Sequence, residues 1–224
     1  MKIAIAVLTR TIGYADAWKH LPPMMQHLSQ SGHQVLSLSQ EGSVIGRMRG
    51  ELAQAAMDAD CDAVCFIDDD EVFTPDSVTR LLSWNAPVVG GLYPTRYAPY
   101  RSTCLISSGT EGNYRSLHTE EIRQQSLVPV DVVSLGFSVI RRSVFETLPR
   151  PWFKQSHVNG QDVDECMHFN ALCRDAGIPL SVDTGVRVGH LTVVAAQFTP
   201  NGQVIFAAPS LVSVSAGMPE QVGV

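Results

Sequence analysis

Residues 2–8 and 63–67 are short apolar runs, residues 34–38 (Gln-Val-Leu-Ser-Leu) read as a strand between them, and the stretches separating the three carry apolar side chains at helical spacing. Leu21, Met24, Met25 and Leu28 mark a helix over residues 22–31 that ends near Gly32. Ile45, Met48, Leu52, Ala55 and Ala56 mark a second. Apolar runs this short, bounded by helices, fit strands buried on both faces. Residues 87–92 add another strand, after a helix for which Thr74 suits the N-cap and Pro75 the first turn. Such an alternation predicts an α/β domain with a mostly parallel central sheet and helices on both faces. At 224 residues, 45% of them hydrophobic, the chain can bury a full core as one domain.

The second half is less regular. Residues 93–129 are polar and rich in turn formers, and no element is assigned there. Residues 131–142 read as a strand interrupted by Gly136, and residues 143–146 (Ser-Val-Phe-Glu) as a capping box opening a short helix. Residues 162–175 read as a helix closed by Gly177, and residues 180–188 alternate as a half-buried strand does. The main domain is therefore expected over residues 1–190. After His190 the tail carries a single charge, Glu220, and residues 191–224 are expected to form a hairpin, a lid or an oligomer contact.

Bulk properties exclude several classes. No apolar run reaches the roughly 18–20 residues of a membrane span, and the apolar start meets Thr9-Arg10 rather than a signal-peptide cleavage site. A net charge of −6 argues against broad, charge-driven nucleic-acid binding. Cys61, Cys65, Cys104, Cys166 and Cys173 contain no CxxC pair, which argues against a disulfide framework or a zinc site. A reducing cytoplasm is the expected compartment.

The feature richest in chemistry is Asp68-Asp69-Asp70 at the end of the strand 63–67. Burying bare carboxylates costs several kcal/mol, roughly, per ion. A hard divalent cation relieves that conflict by taking oxygen ligands. In an open α/β sheet the carboxyl ends of the strands are also where ligands bind. The alternative for these three residues alone is a solvated acidic turn that caps the next helix.

The flanking segments resemble the GT-A-fold glycosyltransferases, particularly the compact, single-domain, family-2-like kind found in bacteria and phages. The resemblance covers residues 1–190. It is carried by Thr9-Arg10 after the first strand, residues 43–49 (SVIGRMR), 66–76 (FIDDDEVFTPD), 88–94 (VVGGLYP), 135–142 (LGFSVIRR), 160–166 (GQDVDEC) and 182–190 (VDTGVRVGH). It implies a single GT-A, Rossmann-like domain. It also implies transfer of a sugar from a nucleoside-diphosphate sugar to an acceptor hydroxyl, with inversion, assisted by Mn²⁺ or Mg²⁺.

Carried over by position, Asp68 and Asp70 stand in the DxD places, and Asp68, Asp70 and His190 are the implied metal ligands. Thr9, Arg10, Arg47, Arg49, Asp68 and Asp69 are the implied donor-binding residues. Asp162 is the implied general base. Gln161 stands where the family usually has glutamate, and Glu165 where an aromatic residue is common; the first change weakens the assignment at Asp162, for which Asp164 is the rival. Tyr93 and Arg96 are candidates on the acceptor side. Trp18, Trp84 and Trp152 read as packing residues, with Trp152 also placed to line an acceptor groove.

The chemistry fits such residues independently. A bridging divalent ion neutralises the diphosphate leaving group, a carboxylate takes the proton of a weakly nucleophilic hydroxyl, and carboxylates stabilise an oxocarbenium-like transition state. Two other classes compete: a non-catalytic GT-A-like module that holds a nucleotide or sugar, which Gln161 favours, and a nucleotidyltransferase, which the lack of a glycine-rich, lysine-containing signature disfavours. The acceptor is not named by the sequence. A glycan, a lipid-linked sugar, a protein and, as a minority option, a hydroxymethylated base in phage DNA are all open; the last would need extrusion from the duplex.

Overall fold

The first strand, β1 (Lys2–Thr9), is buried along most of its length, and its alternate residues feed two different cores. Ile3, Ile5 and Val7 face one layer, and Ala4, Ala6 and Leu8 the other. The structure is a computed structural model that describes residues 1–9, 15–109, 113–158, 161–192, 195–198, 201 and 203–207. For Val158, Gln161, Asp162 and the strands of the tail it describes the backbone.

After β1 come α1 (Ala15–Trp18) and α2 (Leu21–Gln30), whose Met24 and Leu28 cover the Ile3 face. β2 (Gln34–Glu41) pairs parallel to β1 from Lys2↔Gln34 to Thr9↔Glu41. α3 (Ile45–Asp58) lays Met48, Leu52, Ala53 and Ala56 on the opposite face. β3 (Ala63–Asp68) pairs parallel on the other edge of β1. The two-residue β4 (Glu71–Val72), α4 (Ser77–Ser83) and β5 (Val88–Leu92) complete the first half. Helices therefore cover both faces.

α4 starts later than Thr74-Pro75 suggests. The Ser77 amide donates to the Thr74 carbonyl at 3.1 Å, and the Thr74 amide to Ser77 Oγ at 3.2 Å. That turn uses the groups Thr74 would need as a cap, and Asp76 occupies the N-cap place.

The unassigned middle holds the hairpin β6 (Leu105–Ser107) and β7 (Tyr114–Ser116), then α5 (Thr119–Arg123) and β8 (Leu127–Val130). β9 (Phe137–Arg141) is shorter than the strand expected over 131–142. The reason is Asn170: its side chain accepts from the Val133 amide and donates to the Val133 carbonyl, both at 2.9 Å. A side chain thus takes bonds that a sheet neighbour would otherwise make. α6 (Arg142–Thr147) begins before Ser143, and the capping box expected at Ser143 does not form; Glu146 instead pairs with Arg142 Nε at 2.7 Å.

The short strands β10 (Ser156–Val158) and β11 (Gln161–Val163) form a hairpin ahead of α7 (Glu165–Asp175). β12 (Leu180–Arg187) and the two-residue β13 (Gly189–His190) follow. β12 is buried on both faces through Thr184, not half-buried, because β5 and β8 flank it. The sheet has seven strands in the order β2-β1-β3-β9-β5-β12-β8. Only β9 and β8 run against the rest. The chain divides into two compact units, Met1–Leu191 and Thr192–Val224. The second contains an antiparallel hairpin of β14 (Ala195–Phe198) and β15 (Val204–Ala207). All five cysteines are free thiols, and among the described residues no helix is long and apolar enough to cross a membrane.

One buried charge helps hold β12. Asp183 is fully buried and accepts from Arg80 Nε at 2.7 Å, Trp84 Nε1 at 2.7 Å and the Gly185 amide at 2.8 Å. Burial alone would raise its pKa, but these donors outweigh it and hold the carboxyl below its usual value. Charged hydrogen bonds contribute roughly 1.5–3 kcal/mol each, with little additivity, so Asp183→Ala should cost about 2–4 kcal/mol at neutral pH. Because the folded pKa is depressed, the wild-type contribution is full above the unfolded carboxyl value and is lost as pH falls through the folded one. Urea midpoints for the two proteins should therefore converge in acid; a constant gap down to pH 2 would contradict this.

Candidate functional site

β2 lies on one side of β1 and β3 on the other, so the carboxyl ends of β1 and β3 meet where the chain changes direction across the sheet. Ligands of open α/β folds bind at such a switch point. A cleft of about 240 Å³ opens there. Its lining includes Thr9, Asp68, Asp69, Asp70, Glu71, Tyr93, Arg96, Ser134 and His190.

Backbone bonds fix the acidic segment. The Asp68 amide donates to the Gly136 carbonyl at 2.8 Å, and the Leu191 amide to the Asp70 carbonyl at 2.8 Å. β13 pairs antiparallel with β4, placing His190 directly opposite Glu71. Residues more than a hundred positions apart in sequence thereby share one corner. Gly136 admits no side chain: a Cβ would lie 2.5 Å from Tyr93 Oη, 2.9 Å from Asp68 Oδ2 and 3.1 Å from Glu71 Oε1.

The three aspartates have different surroundings. Asp68, whose side chain is 31% exposed, receives Arg49 Nη2 on both oxygens, at 2.9 and 3.1 Å. Arg49 is buried, donates to the Leu135 carbonyl at 3.1 Å, and lies 3.5 Å from Glu165. Burial opposes its charge, but Asp68 and Glu165 more than compensate and raise its pKa. Asp69 and Asp70 are buried at the cleft wall. Arg96 forms an ion pair with Asp70, and His190 Nε2 lies 3.5 Å from the same Asp70 oxygen. His190 Nδ1 donates to the Pro94 carbonyl at 3.0 Å, which turns Nε2 toward the acidic cluster. The Asp70 hydrogen bond raises the His190 pKa, against the effect of burial.

Glu71 carries no role in the sequence reading, yet it is the most deeply buried acid of the cluster. Burial pushes its carboxyl well above the usual range, and the charges of Asp68 and Asp70 add to the effect. Its Oε2 has no hydrogen-bond partner among the described residues. The sequence held one signal for it. Glu71 stands two positions before Phe73, and at strand spacing those side chains share a side; Phe73 is a core residue.

The other sequence candidates divide. Thr9 lines the cleft, and its Oγ1 is buried without a partner among the described residues. Arg10 lies outside the described residues. Arg47 is exposed and bonded to Glu51 at 2.7 Å, one helical turn away, and it does not line the cleft. Arg49 braces Asp68 and is not itself among the cleft-lining residues. Tyr93 is buried, bonded to Ser134, and accepts from the Gly136 amide at 3.0 Å, which makes it a support of the site. Trp152 is buried against Phe145 and donates to the Leu148 carbonyl, as a packing residue does.

Asp162 is not at a helix start, as the sequence suggested. It lies on β11, opposite His157. α7 begins at Glu165, with Asp164 as its N-cap accepting from the Met167 amide at 2.7 Å. Extended backbone through Val163 leaves Asp164 as the first side chain able to reach the free amides of the helix. Glu165, three residues beyond Asp162, meets Arg49, and three extended residues span at most about 10 Å.

No protein-family model and no curated protein matches this chain. Solved structures do. The chain resembles A197 from STIV at a TM-score of 0.55 and 16% identity, over 97% of this chain and all of that one. It also resembles GalNAc-T7, solved with UDP, GalNAc and Mn²⁺, at a TM-score of 0.55 and 12% identity, over 84% of this chain and 43% of that one. The chain thus spans less than half of GalNAc-T7. The fold is α/β with a mostly parallel seven-stranded sheet, and it matches that of GT-A-like glycosyltransferases.

Proposed function

We propose that the chain is a metal-dependent glycosyltransferase that takes a sugar from a nucleoside-diphosphate donor and passes it, with inversion, to an acceptor hydroxyl. The observation that carries this reading is the meeting of Asp68, Asp69 and Asp70 with His190 in one cleft at the carboxyl ends of β1 and β3. Its carboxylate oxygens suit Mn²⁺ or Mg²⁺, and the imidazole favours Mn²⁺ of the two. The buried, unpartnered Glu71 oxygen fits a cation as well. Asp70 and His190 would hold the ion, with Asp68 as the further ligand implied by the family resemblance. Such an ion would neutralise the diphosphate leaving group.

The chain's own residues supply the rest. Thr9 offers an unpartnered hydroxyl to the nucleoside, and Asp68, kept in place by Arg49, faces the ribose beside Asp69. Arg10 is assigned to the base or ribose, and Arg47 to the phosphates or nucleotide, on the sequence alone. Asp162 would accept the proton of the acceptor hydroxyl. Arg96 pairs with Asp70 and places positive charge beside the cleft carboxylates. A cytoplasmic location and an oligomer contact through the tail also rest on the sequence alone.

The direct test is incubation with a panel of nucleotide-sugars and Mn²⁺, followed by assay for free nucleoside diphosphate and sugar. One donor should be hydrolysed slowly without acceptor, and chelation should stop the reaction. Binding of donors without turnover would favour the non-catalytic module that Gln161 suggests. Release of pyrophosphate would mark a nucleotidyltransferase.

A further inference from the structure

We infer that Glu71 is itself a metal ligand, forming with Asp70 and His190 a three-residue site from which Asp68 is held away. This rests on the metal-dependent reading above and changes which residues carry it. One ligand atom from each of Asp70, Glu71 and His190 lies within 4.8 Å of the others. Ligands on opposite sides of a small divalent ion are about 4.2 Å apart, so the three atoms span such a volume; Arg96 Nη2, which pairs with Asp70 and lies 3.4 Å from His190 Nε2, would give way to the ion.

The backbone fixes this arrangement before any ion arrives. His190 and Glu71 are cross-strand partners, and Asp70 is tied to the next residue along, Leu191. Cross-strand neighbours have Cβ atoms about 4.5–5.5 Å apart, which suits a shared ligand.

Glu71 differs from its neighbours in its unmet demand. It is 1% exposed, lines the cleft, and keeps Oε2 without a hydrogen-bond partner among the described residues. Asp68, in contrast, has both oxygens engaged by Arg49. A buried carboxyl group with an unmet oxygen is unfavourable in either protonation state, and most so when ionised. Stability alone would favour glutamine or an apolar residue at position 71, and cation binding supplies the partner that the fold leaves out. Asp68 then becomes an Arg49-oriented group facing the cleft, with its carboxylate directed by the guanidinium and not by the ion.

The test is Mn²⁺ binding to the intact chain without nucleotide, read from the electron paramagnetic resonance signal of the free ion. Wild type should bind, and Glu71→Gln should lose at least tenfold in affinity, as should His190→Ala. If Glu71→Gln binds as wild type does while His190→Ala fails, Glu71 is not a ligand and the metal reading stands without it. If wild type takes up no Mn²⁺ at millimolar concentration, the preformed site is disproved, and nucleotide-dependent uptake decides the broader reading separately. Should Glu71→Gln not fold, anomalous diffraction from wild-type crystals soaked in MnCl₂ decides. An ion within about 2.5 Å of a Glu71 oxygen supports the assignment; an ion on Asp68 and Asp70 with Glu71 apart overturns it.

Discussion

Arg49→Met should lower the folding stability by about 3–5 kcal/mol, the range seen when one partner of a buried ion pair is removed. Arg49 is 3% exposed and bridges three acceptors that come from distant parts of the chain: Asp68, the Leu135 carbonyl and Glu165. Methionine preserves most of the side-chain volume, so packing against Phe66 changes little. What remains is a buried Glu165 and a half-buried Asp68, both without their cation. Water reaches Asp68 in part, which places the expected loss toward the lower end. Arg49→Lys should recover only a fraction, because a single ammonium cannot reach Asp68, the Leu135 carbonyl and Glu165 together, as Nη2, Nη1 and Nε do. Urea unfolding at neutral pH measures this directly. A loss below about 1 kcal/mol for Arg49→Met would show that the bridge is only incidental to the fold.

Asp162→Asn should leave donor binding intact and lower transfer by about 10²–10⁴-fold, the usual contribution of a general base. Asparagine keeps the shape but cannot take the acceptor proton. The placement of Asp162 on β11 removes the helix dipole as a reason for it to stay ionised. What still motivates the assignment is its position three residues before Glu165, the partner of the Arg49 that orients Asp68. Asp164→Asn is the control. Asp164 caps α7, and asparagine caps helices about as well as aspartate, so stability and transfer should both stay near wild type. Single-turnover transfer at saturating donor compares the two variants. Near-wild-type transfer by Asp162→Asn would place the base elsewhere; loss of donor binding would make Asp162 a donor-site group.

Much of the framework was legible from the sequence, for identifiable reasons. β1 and β3 are continuous apolar runs, β2 is an alternating edge strand, and the helices between them have clear spacing, so the alternation leaves few topologies open. The acidic segment was legible too, because three adjacent carboxylates after a buried strand need an explanation. The features that escaped are those made by tertiary contacts. The segment before β9 looks like strand, but Asn170 on a distant helix takes its backbone bonds. Residues 162–163 look helical, but Asp164 supplies the cap one step later. Arg49 and Arg47 lie two positions apart at one helix start, and nothing local says which turns inward. The structure sends Arg49 to Asp68 and Arg47 to Glu51. Glu71 was hidden by the triplet beside it, since only the β4–β13 pairing shows that it faces His190.

The most direct test of the central claim is calorimetric titration with a nucleoside diphosphate, with and without Mn²⁺, for wild type and Asp70→Ala. Asp70 lies at the cleft wall within reach of His190, and it contributes a carboxylate rather than core volume. The variant should therefore keep the wild-type far-ultraviolet circular dichroism spectrum. Wild type should bind the nucleotide tightly only when Mn²⁺ is present, and Asp70→Ala should lose that metal-dependent increment. Equal affinity in the two proteins, unchanged by Mn²⁺ or by its removal with chelator, would contradict metal-assisted donor binding at this cleft.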